Sequence, residues 1–170
     1  MKLTELYLGA LEREAPASHR ILERIPDDRF HWKPHAKSMP LGYLATLVAT
    51  MPGWIDSMVN QDELDFAPKE PSDYKPPEFR TRGDLLAAFD VAFSKGLAAL
   101  RSTNDEHLMT TWKLLAGGHV VQEQPRYIAI GDGVLNHWAH HRGQLTVYLR
   151  LNDVPVPSIY GPTADERFGL

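Results

Sequence analysis

The sequence predicts an all-α domain, a four-helix bundle with one long crossover connection. Three observations carry this reading. Four stretches repeat apolar residues at three- and four-residue steps, and none of the chain sustains the alternation of a half-buried strand. A linker rich in Asp, Glu and Pro, Gln61 to Arg80, separates the second stretch from the third. That length suits a crossover in a bundle better than a tight hairpin. The chain has 170 residues, so positions 1–170 are expected to form one domain, with an extended tail from about 153.

The first helix is expected from Thr4, as cap, to Ile25, carrying Leu6, Tyr7, Ala10, Leu11, Ile21 and Leu22 on one face. Pro16 inside it removes one backbone donor and predicts a bend. Ser38 before Met39-Pro40 predicts the next start. That second helix presents Leu41, Leu44, Ala45, Val48, Met51, Ile55, Met58 and Val59, with a kink at Pro52-Gly53. Thr81-Arg-Gly-Asp84 reads as a capping box that opens the third helix, Leu85 to Leu100. From Ser102 to Gln124 the pattern predicts turns, with Trp112, Leu114 and Leu115 plugging the bundle. A last helix runs from near Pro125 to about Leu151 and stops at Asn152-Asp153 and Pro155.

Composition excludes several functions. Lys and Arg number 18 against 22 Asp and Glu, for a net charge of −4. No basic stripe marks a nucleic-acid partner. With no cysteine there is no disulfide, thiolate metal site or cysteine nucleophile. No apolar run approaches the ~20 residues of a membrane span, and acidic residues interrupt the N-terminal pattern where a signal peptide would be apolar. A cytoplasmic protein is expected.

The chemistry-bearing stretch is Asn136-His137-Trp138-Ala139-His140-His141-Arg142-Gly143-Gln144. His137 and His141 are four apart, one turn apart on the same side of a helix. That spacing lets both imidazoles reach one divalent ion at ~2.0–2.1 Å. At about 100° per residue, Val134, His137, Trp138, His141, Leu145 and Tyr148 share a third of a turn, which sets both histidines in the middle of the inward stripe and His140 to one side. A buried imidazole needs a hydrogen-bond partner or a metal, so the pair reads either as satisfied core histidines or as ligands. Gly143 predicts close approach of a neighbouring backbone. Arg142 and Gln144 are read either as bonding to loop carbonyls or carboxylates or as solvated and capping. Trp32, Trp54, Trp112 and Trp138 are expected to pack the bundle and its loops.

His137 through Gln144, continuing into Leu145-Thr-Val-Tyr-Leu-Arg and Val154-Pro-Val-Pro-Ser-Ile-Tyr-Gly, resembles the last helix and tail of DinB-like (YfiT-like) proteins, whose signature is His-x-x-x-His-Arg-Gly-Gln. Trp32-Lys-Pro-His, Lys37-Ser-Met and Pro52-Gly53-Trp54 resemble their front half. The resemblance implies a four-helix bundle, often a homodimer, with a nickel or zinc ion held by one histidine on the second helix and two on the fourth. It also implies metal-dependent hydrolase or thiol transferase activity. His137 and His141 match the fourth-helix pair. The second-helix ligand falls at or beside Leu47, and no histidine occurs between His35 and His107. Substitutes to test are His31, His35, His119, Glu123 and Asp56, the last ~13 Å beyond Leu47 along a helix axis. Three readings follow: a metal enzyme with a rescued ligand set, a metal-free binding or structural homodimer with Leu47 packed against the histidine face, and a metal-free enzyme using a buried histidine as general base.

Overall fold

A computed structural model describes residues 2–69 and 78–167. The first helix, α1 (Leu3–Leu22), runs without a break through Pro16. Its start is not capped by Thr4, which is buried within the first turn. Asp105, a hundred residues away, accepts from Leu3 N at 2.9 Å, Thr4 N at 3.0 Å and the Thr4 hydroxyl at 3.1 Å. These amides are among those a helix leaves unpaired at its N-terminus. Their bonds hold the Asp105 carboxyl below its usual range.

The second apolar stretch becomes two helices. α2 (Leu41–Thr50) starts after Pro40 rather than from a Ser38 cap, and a 3-10 turn over Met51–Gly53 leads into α3 (Trp54–Asn60). The expected kink is thus real. Gly96 of the facing helix has a packing reason, since a Cβ there would stand 2.4 Å from the Pro52 carbonyl oxygen. The expected capping box opens α4 (Arg82–Ser102): Asp84 N donates to the Thr81 hydroxyl at 3.1 Å, and Thr81 N donates to the Asp84 carboxylate at 3.0 Å.

The absence of strands is the expectation that fails. β1 (Glu63–Asp65) lies parallel to β2 (Thr111–Ala116), and β2 pairs antiparallel with β3 (His119–Pro125), in the order β1-β2-β3. A bulge between Leu114 and Leu115 breaks the alternation of β2, which is why period-two patterning is invisible there. Gly117 and Gly118, both at positive φ (61° and 79°), form the hairpin turn. A short helix, α5 (Asp105–Leu108), precedes the hairpin, and Trp112 does plug the interior. Arg126 ties this end together, donating to the Met58 and Gln61 carbonyls at 2.7 and 2.6 Å.

The last helical column comprises α6 (Arg126–Ile130), a π turn (Gly131–Asn136) and α7 (His137–Leu151). α1, α2–α3, α4 and α6–α7 form the bundle around a core that includes Leu11, Leu44, Val48, Phe89, Trp138 and Leu145. Among the described residues no helix is long and apolar enough to cross a membrane. The chain after α7, to residue 167, is bound back by ion pairs of Arg20 and Arg24 with Glu166 and of Arg150 with Asp165.

Candidate functional site

α7 lies antiparallel to α2. Two bonds fix their register: Trp138 Nε1 donates to the Val48 carbonyl at 2.8 Å, and the Tyr148 hydroxyl donates to the Met39 carbonyl at 3.2 Å. Interpolated between these anchors, Leu47 stands at the level of residues 139–140. Trp54, seven residues along the same kinked column, has its ring 6.2 Å from that of His137.

The inward stripe of α7 is rotated from the expected one. Trp138, His141, Arg142, Leu145 and Leu149 are buried, while His137 and Tyr148 are only half-buried. His141 is inside the stripe and His137 sits on its rim. The buried side includes Arg142, which the sequence leaves either bonded to loop carbonyls or carboxylates or solvated. It is 1% exposed and lies between the Trp138 and Tyr160 rings, its Cζ 5.6 and 5.2 Å from their centroids. Its guanidinium donates to the Ser18 hydroxyl at 2.8 Å, to the Glu14 carbonyl at 3.2 Å, and to the Glu14 carboxylate and Tyr160 hydroxyl. Tyr160 in turn donates to Glu14. With Arg142 on the buried side, His137, about 140° away around the helix, stands at the rim.

Gln144 does not reach a loop. Its Oε1 accepts from His141 Nδ1 at 2.8 Å. An amide oxygen only accepts, so the ring proton is on Nδ1 and the Nε2 lone pair is left open. Burial pushes the His141 pKa down, and the neighbouring His137 and His140 act the same way against the Gln144 bond. Burial therefore favours the neutral ring of His141. The His137 ring is 4.4 Å from it and the His140 ring 5.1 Å, with 6.4 Å between His137 and His140. Gly143 differs from expectation as well: a Cβ there would meet nothing within 4 Å. No backbone approaches, because this side of α7 faces outward.

The other candidates lie elsewhere. His31 and His35 are exposed, and His35 Nδ1 accepts from Lys37 N at 3.1 Å. Asp56 is engaged by Lys95 at 3.0 Å and Asn60 at 2.7 Å. His119 is at the hairpin end near Asp65, and Glu123 pairs across the strands with Lys113 at 4.0 Å. His107 contacts the Val59 carbonyl. Two imidazoles therefore fit two positions of a zinc or nickel centre. A third protein donor does not: among the described residues no three His, Cys, Asp or Glu side chains are grouped to hold a metal ion.

Sequence reasoning missed the Glu14–Arg142–Tyr160 node. Its one local signal is a cation on the inward side of an apolar helix, which has to find an acid.

No family model matches the chain. The uncharacterized protein YrdA of Bacillus subtilis (strain 168) is 30% identical over 174 residues, covering 96% of this chain and 93% of its own. A DinB-like protein from Bacillus cereus superimposes with a TM-score of 0.70 at 24% identity, over 92% of this chain and 97% of that one. The DinB-like protein YjoA from Bacillus subtilis gives 0.65 at 17% identity, over 95% and 99%. The bundle has the fold of these DinB-like proteins, and the full-length relative assigns the family: the chain belongs to that of YrdA.

Proposed function

We propose that this chain is a DinB-like binding protein, working as a homodimer, in which His137 and His141 receive a polar ligand without a resident hydrolytic metal. The observation that supports this most is the donor set, which stops at two imidazoles. A catalytic zinc or nickel takes three protein ligands and keeps one position open, whereas Leu47 offers none and, among the described residues, no three His, Cys, Asp or Glu side chains are grouped to hold an ion. With its proton fixed on Nδ1, the His141 Nε2 lone pair accepts a hydrogen bond from a ligand N–H, O–H or S–H.

A metal-dependent hydrolase or thiol transferase is the second reading. It is favoured by that same open Nε2, since a ligating imidazole commonly has its other nitrogen bonded to an oxygen.

Metal content of untagged protein, followed by zinc and nickel titrations of wild type, His137→Ala and His141→Ala, separates the two. The first reading expects no bound metal after purification and no saturation at micromolar metal. Tight stoichiometric metal, lost in both variants, overturns it in favour of the second.

A further inference from the structure

Gly143 weakens α7 as a helix former, yet no neighbouring atom occupies the place of its missing Cβ. It borders a cleft of about 260 Å³ between α7 and the chain that follows it, lined by Ala139, Gly143 and Thr146 on one side and Val156, Pro157 and Ile159 on the other. The α7 residues of this set lie on the opposite side of the helix from His137, His141 and Gln144, so the cleft is separate from the histidine site. Arg142 lines it too. The bonds of its guanidinium all leave from Nη1 and Nη2, and among the described residues Nε–H has no partner. Nor is that nitrogen sealed in. Among the described residues the sealed side-chain polar atoms without a partner are Thr103 Oγ1, Trp112 Nε1 and Gln124 Nε2. A free donor on a residue only 1% exposed is thus left at the cleft.

We infer that this cleft binds a small neutral carbonyl compound, a ketone or ester on a short apolar body, whose oxygen accepts from Arg142 Nε–H. The hydroxyls at the cleft are engaged as donors elsewhere: Thr146 to the Gly143 carbonyl at 2.6 Å, Thr163 to the Val156 carbonyl at 2.8 Å, and Tyr160 to Glu14. One free donor among apolar walls selects a ligand with an acceptor and no donor of its own, because either group left unpaired is costly. Charge selects against an acid. Arg142 is already paired with the Glu14 carboxylate, and Glu14 reaches Tyr160 at the cleft wall. A second carboxylate there would meet Glu14 as a like charge. The volume is below the ~300–1,000 Å³ of drug-sized sites, which limits the ligand to on the order of ten non-hydrogen atoms. Glycine at position 143 keeps this space open.

Titration of the isotopically labelled full chain with methyl isobutyl ketone, followed by nitrogen–proton NMR, tests it. Isovalerate is the comparison, with the same apolar body and a carboxylate in place of the methyl ketone. The Arg142 Nε–H signal and the Gly143 and Gly161 amides are expected to shift, and to saturate at about millimolar ketone. Isovalerate is expected to bind at least about tenfold more weakly. Gly143→Leu sets a side chain in the cleft and is expected to fold, since its Cβ meets nothing within 4 Å, and to lose the ketone shifts. A thermal melt checks the fold, and Thr146→Leu, on the same wall, repeats the test from a second position. An Arg142 Nε–H signal unmoved at about fifty millimolar ketone overturns the site, as do shifts that persist in both folded variants. Isovalerate bound as tightly as the ketone overturns the neutral class assigned to the ligand.

Discussion

Removing Arg142 tests the account of why α7 is oriented as it is. Arg142→Ala deletes a guanidinium that is 1% exposed and bonds Ser18, the Glu14 carbonyl and carboxylate, and Tyr160. Truncating one partner of a buried ion pair costs about 3–5 kcal/mol, because the other charge is left without its counter-ion. The Glu14 side chain keeps 25% of its surface, so water recovers part of its solvation and the lower end, about 3 kcal/mol, applies. For a chain of this size each kcal/mol moves Tm by roughly 2–4 °C, giving a fall of about 6–12 °C. Tyr160→Phe removes one hydroxyl and leaves the ion pair, so about 1 kcal/mol is expected. Urea unfolding followed by tryptophan fluorescence reads both, and a cycle with Glu14→Ala isolates the coupling between arginine and acid. Hydrogen exchange adds the local consequence: the segment around Tyr160 is expected to lose protection in Arg142→Ala before α2 does. An Arg142→Ala protein within about 1 kcal/mol of wild type, or one no weaker than Tyr160→Phe, refutes the node as the anchor of α7 and tail.

Two further outcomes follow from the same contacts. Because burial lowers the His141 pKa, the native state favours the neutral ring. Its contribution to stability is complete above the unfolded value of about 6.5 and is lost as pH falls through the lower folded value. Urea midpoints measured from pH 7 to pH 5 are expected to decline in wild type and to flatten in His141→Gln. Equal slopes in the two proteins reject the assignment. Gly96→Ala sets a Cβ 2.4 Å from the Pro52 carbonyl oxygen, a backbone atom that cannot swing aside. A net loss of about 1–3 kcal/mol is expected despite the better helix propensity of alanine, and a raised urea midpoint contradicts the close approach of α4 to the 3-10 turn.

Local signals were sufficient for much of this molecule. Apolar periodicity located the helical columns, Thr81 and Asp84 announced the start of α4, and Pro52-Gly53 marked the break between α2 and α3. The four-residue spacing of His137 and His141 put their rings side by side, as a helix must. Each of these depends on residues within a turn or two of one another. The hairpin was legible in principle from Gly117-Gly118, but the bulge at Leu114/Leu115 hid its alternation.

What tertiary structure alone decided are the contacts between distant segments. Asp105 caps α1 across a hundred residues, β1 finds β2 across fifty, and Glu14 and Tyr160 meet Arg142 from opposite ends of the chain. The helical wheel set His137 in the middle of the inward stripe and left Arg142 either bonded to loop carbonyls or carboxylates or solvated, whereas in the fold Arg142 is buried on its acid Glu14 and His137 is at the rim. The composition of the site follows the same division. Sequence supplied two imidazoles on one helix, but whether a third donor faces them depends on how α2, the loop and the hairpin pack, and packing engages Asp56 and Glu123 elsewhere.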